Sequence, residues 1–470
     1  MRRNPGGADD VPAGNEQGRP KHMSQFSRRD TLKAGVGALA GASVLGLGRP
    51  AGAQIQAAAD VKAPSFAIEQ GASLRVLRPA KFVQGDETLF LENTKKFGEK
   101  HGVAMRVDSE AWADLRPKTA VSANVGSGPD VVYAWSDDPH KFAAKCVDLT
   151  DVATYLGQKY GGWYDLAQKY GKAKDDGRWI AVPLGASAGR VVYRKSWVNE
   201  AGFDTVPGDV DGFLKLCQAL KKNNHPAGFA LGNAEGDANA WCHWVLWAHG
   251  ATVVDEQDKV TIDSKETVAG LKYAKALYET FIPGTLSWLD PSNNKAFLSG
   301  EVGLTQNGIS VYYAAKNSTD AAVKTMAEDI NHARMPVGPV GRPTERVLLV
   351  NGMAFKHTKY PEAAKAYLQF MMEAEQYDPY LNACIGYWGH PLQAYESSAI
   401  WAADPKHEPY KDVVKTGIWD GYPGSISEAS AAVLSDFVVV QMVQAVCAGQ
   451  ATPEEAAKEG HRRARRYYRT

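Results

Sequence analysis

Three groupings in this chain of 470 residues have side chains suited to chemistry or tight binding. Gly185-Ala-Ser-Ala-Gly189 has the G-x-S-x-G spacing of a hydrolase nucleophile turn. That turn needs a strand, a sharp bend and then a helix, whereas Arg190-Val-Val-Tyr193 reads as a further strand. Cys242-His243 with His249 brings metal-ligand types together, but the spacing fits no standard zinc pattern, and no metal is expected. The third grouping is a set of aromatic, amide and carboxylate residues just beyond strand ends, where α/β sheets form their crevice. Lys81, Phe82 and Asp86 lie in the segment after the first strand, and Trp135 follows the third. Asp237, Asn239 and Trp241 open a later helix, and Tyr387-Trp388 sits between Gly386 and Gly389. Aromatic rings cover C–H faces, while carboxylates and amides hold dense hydroxyls, so the set suits a carbohydrate. The bland alternatives are a surface lysine for Lys81, packing for Phe82 and Trp241, and helix capping for the acids.

The elements that must position these residues alternate in type. Leu74–Leu77, Val103–Val107 and Val131–Ala134 read as strands, separated by helices over 86–101 and 112–125. Such alternation predicts a mostly parallel sheet with covering helices. Arg178–Pro183 and Arg190–Tyr193 read as two short strands with Gly185–Gly189 between them, and Phe229–Leu231 and Gly303–Thr305 as two more. Helices are expected at 196–202, 208–222, from Asp237, at 265–280, 293–298, from Ser310, at 361–373, 428–447 and 453–468. A strand over 347–355 is expected to return to the first unit. The expected fold class is therefore α/β with two lobes, each a mostly parallel sheet flanked by helices, joined by a hinge. The expected division is 71–185 plus 350–390 for the N-terminal lobe and 186–349 plus 391–470 for the C-terminal lobe, after a flexible linker at 54–70.

Residues 1–53 read as an export leader. Ser27-Arg-Arg-Asp-Thr-Leu-Lys33 matches a twin-arginine signal, a weakly apolar run follows to Leu47, and Ala51 and Ala53 suit cleavage near Ala53. The expected address is the periplasm; whether Met1 or Met23 starts the chain stays open. The leader holds eight basic and four acidic residues, so the remainder carries 45 against 49, a net of −4. That balance gives no general attraction to nucleic acid or anionic membrane. No later segment reads as a long apolar run, and a soluble body is expected. Five widely spaced cysteines argue against a disulfide framework and read as buried thiols. With no P-loop and no G-x-G-x-x-G after a strand, no cofactor is expected; an exported cofactor enzyme remains the rival from another class.

Several stretches resemble the family-1, maltose-binding-like solute-binding proteins of ABC importers. In order they are Lys95–Gly102, Gly128-Pro-Asp-Val-Val-Tyr-Ala-Trp135, Cys146-Val-Asp-Leu-Thr150, Gly177–Pro183 with Val192–Lys195, Phe297–Gly303, Tyr360–Tyr367 and Gly449–Ala457. Arg194 stands where that family usually has Asn, and Val206-Pro-Gly-Asp-Val210 replaces its Pro-Pro-x-T-W turn. The resemblance implies two lobes closing on a sugar or sugar-like solute, a polyol or amine being the alternative. It implies delivery to membrane permease subunits by a monomer, without catalysis. It also implies Asp137 as a hydroxyl acceptor, Ser187 as a polar contact at the first crossing, and Asn307 with Tyr312 in a ligand turn whose usual tryptophan is missing. Tyr387 and Trp388 would stand at a third crossing.

Overall fold

The computed structural model describes residues 55–469. Its strands are β1 (Ser73–Pro79), β2 (Ala104–Glu110), β3 (Val131–Ala134), β4 (Val182–Ala188), β5 (Arg190–Arg194), β6 (Leu304–Asn307), β7 (Ile330–Ala333) and β8 (Val347–Ala354). They form two sheets, a five-stranded one in the order β2-β1-β3-β8-β4 and a three-stranded one in the order β6-β5-β7. Helices Gln84–His101 and Trp112–Val125 carry the chain back between β1, β2 and β3, so those strands pair in parallel. β8 re-enters from the second lobe and runs antiparallel to both β3 and β4, and the second sheet is antiparallel throughout. The two-lobed α/β expectation holds, but its parallel pairing holds only for β2-β1-β3. β5 and β8 are reached by crossings between the lobes, which impose no common direction.

The apolar core falls in two clusters, the first of which also takes in Val192 of β5 and Ile330 of β7. Leu74, Val76, Val131, Leu349, Met353 and Leu368 are buried around the first. Val191, Phe213, Leu216, Trp244 and Val443 are buried around the second. All five cysteines are free and buried.

β4 passes into β5 through a single residue, Gly189. A Cβ there would stand 1.3 Å from Gln306 Nε2, so the crossing has room only for glycine unless Gln306 moves. The Gly185–Gly189 stretch is thus strand rather than an interval between strands, which removes the bend a nucleophile turn requires. The expected lobe cuts at 185/186 and 349/350 fall inside β4 and β8. Leu392, Tyr395, Trp401, Tyr410 and Ile426, expected in the C-terminal lobe, pack into a cluster that holds both Leu74 and Val131 of the first sheet and Val192 and Ile330 of the second.

Other expectations also shift. Phe229–Leu231 is buried irregular chain rather than strand, with only Ala227 nearby bridging to Phe281 and Leu304. The stretch 428–447 is two helices, Glu428–Ser435 and Val438–Cys447, broken at Phe437 with φ 54°. By length and composition it is apolar enough to cross a membrane, contrary to expectation, yet Val438, Val440, Val443 and Val446 lie in the second core. Residues 55–70 are not a free linker. Ile55 is buried, the Ala58 N–H donates to Lys159 O at 2.7 Å, and Glu69 accepts from Glu362 and Ala363 N–H groups at 2.9 and 3.1 Å. A carboxylate is favoured there, at the N-terminus of helix Pro361–Met372. The twin-arginine segment and Ala53 lie outside the described residues.

Gly85 couples the two segments that hold the first lobe's aromatic wall. A Cβ on it would meet the Ala383 carbonyl oxygen at 2.0 Å, and that backbone leads directly into Tyr387-Trp388. Gly85→Ala should therefore lower the unfolding free energy by about 2 kcal/mol, the usual scale of overpacking. Urea denaturation of the purified chain checks it; an unchanged midpoint would mean that the contact is loose.

Candidate functional site

A cleft opens where the two sheets meet, with about 550 Å³ of empty space including its mouth. Its first wall is a run of touching aromatics. Trp135, at the end of β3, packs edge-on against Trp112 at 4.8 Å between ring centres, Trp112 lies 6.0 Å from Phe82, and Phe82 lies 6.2 Å from Tyr387. Trp388 sits behind Tyr387 at 4.7 Å. These side chains come from the ends of β3, β2 and β1 and from the 384–390 loop, where strand ends converge. Trp112 Nε1 donates to Ala80 O at 2.8 Å, whereas Trp135 Nε1 is buried without a partner.

The opposite wall is polar and comes mainly from the second lobe. Asp237 begins helix Asp237–Ala248 and Asp290 begins helix Asp290–Leu298. Asp290 Oδ1 accepts from Asp237 N–H at 2.8 Å, and Asn293 Nδ2 donates to Asp237 Oδ2 at 2.8 Å. Asn307 donates to Asn294, Asn294 to Ser310 Oγ at 3.0 Å, and Ser310 Oγ to Asn307 Oδ1 at 3.3 Å. Ser187, Gly189 and Gly308 line the seam, with Arg346 beside them. Arg346 is buried and bidentate to Asp420, Nε to Oδ1 at 2.5 Å and Nη2 to Oδ2 at 3.0 Å. Desolvation raises the Asp237 carboxyl well above the usual range, and the Asp290 charge adds to this; desolvation raises Asp290 as well.

Beneath the cleft, buried Arg116 ties the lobes together. It donates bidentately to Asp137 at 2.8 and 3.0 Å, lies 2.8 Å from an Asp138 oxygen and reaches Glu235 of the second lobe at 3.3 Å. Burial raises Asp137, but the Arg116 charge outweighs it and holds that carboxyl low. One guanidinium cannot match three carboxylates, and burial pushes both Asp138 and Glu235 up to about 7.

Of the thirteen residues expected at a site, the cleft brings together Phe82, Trp135, Ser187, Asp237, Asn307 and Tyr387. The other seven stand elsewhere. Asp137, the expected hydroxyl acceptor, is fully buried and spent on Arg116. Asp86 is buried, accepting from Arg78 at 2.5 Å, Tyr380 at 2.5 Å and Trp388 Nε1 at 3.3 Å, so Asp86 and Trp388 brace the wall from behind. Lys81 pairs with Glu87 at the surface. Asn239 Nδ2 donates to Glu235 O at 3.2 Å, and Trp241 Nε1 to Ala230 O at 2.7 Å within the second core. Tyr312 donates to Asp404 at 2.6 Å, away from the cleft. Cys242 is buried, and His243 and His249 each donate Nδ1 to a carbonyl four residues back, at 2.8 Å. Among the described residues no cluster of three metal-ligand side chains forms. The cleft also uses Trp112, Asp290, Ser310 and Arg346, which sequence reading missed. Trp112 follows the end of β2 and obeys the strand-end rule; Asp290 and Arg346 carry no comparable local signal.

Residues 92–409 match the bacterial extracellular solute-binding proteins over more than half of the chain. The chain belongs to that family. This solute-binding protein is 26% identical over 322 residues to an Escherichia coli K12 protein named as an ABC transporter periplasmic-binding protein, YcjN. That match covers 64% of this chain and 69% of the relative. A Brucella abortus binding protein is 20% identical over 295 residues, covering 61% and 69%. Among solved structures, the GacH receptor of Streptomyces glaucescens, described unliganded and with acarbose, superposes with a TM-score of 0.71 at 18% identity. It covers 85% of this chain and 99% of that one. Maltose-bound MalE3 of Thermotoga maritima gives 0.70 at 20% identity, covering 84% and 99%. Those likenesses give this solute-binding protein the two-lobed fold, and the family places it outside the cytoplasm, in the periplasm or beyond.

Two substitutions separate bracing from clasping. Asp86→Ala leaves Arg78 buried without its carboxylate and should cost about 3–5 kcal/mol in urea denaturation. Glu235→Gln tests the clasp. As pH rises from the ordinary 4.5 to about 7, the unfolded chain gives up the Glu235 proton while the folded chain keeps it. Stability falls across that window, by up to about 3 kcal/mol at pH 8. Glutamine does not titrate, so the Tm of Glu235→Gln relative to wild type should climb from pH 5 to pH 8. A difference that stays flat with pH would sink the assignment.

Proposed function

We propose that this protein binds a sugar or sugar-like polyol in the cleft between its lobes and hands it to the permease subunits of an ABC importer. The carrying observation is the aromatic run Trp135–Trp112–Phe82–Tyr387 facing an amide and carboxylate wall. Flat rings bury the C–H faces of a pyranose or extended polyol, and the Asp237, Asn307 and Ser310 side chains meet its hydroxyls.

The mechanism is a population shift. A solute touching both walls favours the closed arrangement by its differential affinity, and moving an open-to-closed ratio from 99:1 to 1:99 takes about 5.5 kcal/mol. The lobes are joined through Gly189, between β4 and β5, and through the 334–346 segment, between β7 and β8, which act as the hinge. Binding without turnover, action as a monomer and export by the twin-arginine route belong to the same reading. The relatives support the solute class: the GacH receptor is described with acarbose, MalE3 with maltose, and an Agrobacterium vitis binding protein with D-mannitol.

A thermal-shift screen of the purified chain against mono- and disaccharides and polyols tests this. A hit at about 100 times its Kd should add about 2.7 kcal/mol of stability. Trp112→Ala should weaken that hit at least tenfold, about 1.4 kcal/mol, in calorimetry, and Tyr312→Ala should leave it within twofold. Equal affinity in Trp112→Ala would remove the aromatic wall from the site.

A further inference from the structure

The cleft contains more negative charge than a neutral solute needs. Asp237 and Asp290 both line it, joined through Asp237 N–H to Asp290 Oδ1 at 2.8 Å. Among the described residues neither has a basic side chain in ion-pair contact. Asp237 Oδ2 is met only by the neutral Asn293 amide. Among the described residues the one cation in the lining is Arg346, which already lies against both oxygens of Asp420. The other charged groups around the cleft are committed or negative. Asp86, behind Tyr387, is held by Arg78, and Arg116 is shared among Asp137, Asp138 and Glu235. Phe82, Trp112, Trp135 and Tyr387 line the same cleft, and aromatic ring faces attract a cation. Trp135 Nε1 is buried in this wall without a hydrogen-bond partner among the described residues.

We propose that the solute is polyhydroxylated and carries a protonated amine, with its ammonium group seated at Asp237 and Asp290 and its C–H faces on the aromatic wall. This rests on the reading of the cleft as the solute site. Desolvation raises both carboxyls, and the Asp290 charge adds to this at Asp237, so the pair holds a proton more tightly than free carboxylates do. An ammonium group supplies the missing positive charge, and the pair releases that proton as the amine enters. The hydroxyl of Tyr387 stays neutral beside them: burial raises it first, and Asp86, Asp237 and Asp290 add to this. Arg346 sets the limit on the other side, since it leaves no place for a second cation at that end of the cleft.

Matched pairs test the proposal on the full chain: D-glucose with D-glucosamine, D-galactose with D-galactosamine, and D-sorbitol with 1-amino-1-deoxy-D-sorbitol. At pH 7 the amine member of at least one pair should bind ten times or more tighter in calorimetry. In buffers of different ionisation heat its binding should be coupled to proton release, while that of the neutral member is not. Asp237→Asn and Asp290→Asn should each bring the affinity ratio of that pair close to one. Neutral members binding as tightly as, or tighter than, the amines would overturn the amine proposal and leave the sugar reading standing. A ratio untouched in both variants would overturn it too. If no member of any pair raises the Tm, the cleft is not a site for this class, and both readings fail together.

Discussion

The buried guanidinium of Arg116 is the point on which the cleft depends. It projects from the helix that starts with Trp112, locks the turn after β3 that presents Trp135, and touches Glu235 two residues before Asp237. Aromatic wall and acidic wall are thus spaced by one ion cluster. A buried pair adds little net stability, but removing one partner is costly, so the cluster secures geometry more than it adds folding energy. The surplus of carboxylates also makes that geometry responsive, because a proton or a ligand charge must make up the deficit.

The same logic of matched and unmatched charge runs through the site. Arg78 with Asp86 and Arg346 with Asp420 are closed pairs, and both support surfaces without offering charge to the cleft. Asp237 and Asp290 form the open set. Carboxylates equally visible in sequence therefore divide into supports and contacts according to which cation reaches them first.

Local chemistry made much of the framework legible. Helix Trp112–Val125 and strand Val131–Ala134 stand where glycine stops and apolar periodicity put them. The strand-end rule located Phe82 and Trp135 and would have found Trp112 after β2. It could not tell Trp135 from Asp137, two residues apart, because the second is taken by an arginine 21 positions earlier. Trp241, at a helix start that suited stacking, is core because Phe229 and Phe281 close around it.

What the residues determined unaided is the class: alternating strands and helices, ordered family landmarks, buried unpaired cysteines and aromatics in the turns. These follow from periodicity and turn chemistry, which act over a few residues. Tertiary structure alone decided the strand directions, the break at Phe437, the burial of 55–70, and which acids face the cleft. Each of those depends on groups far apart in the chain meeting in low-dielectric surroundings, where a charge must find its partner or hold a proton.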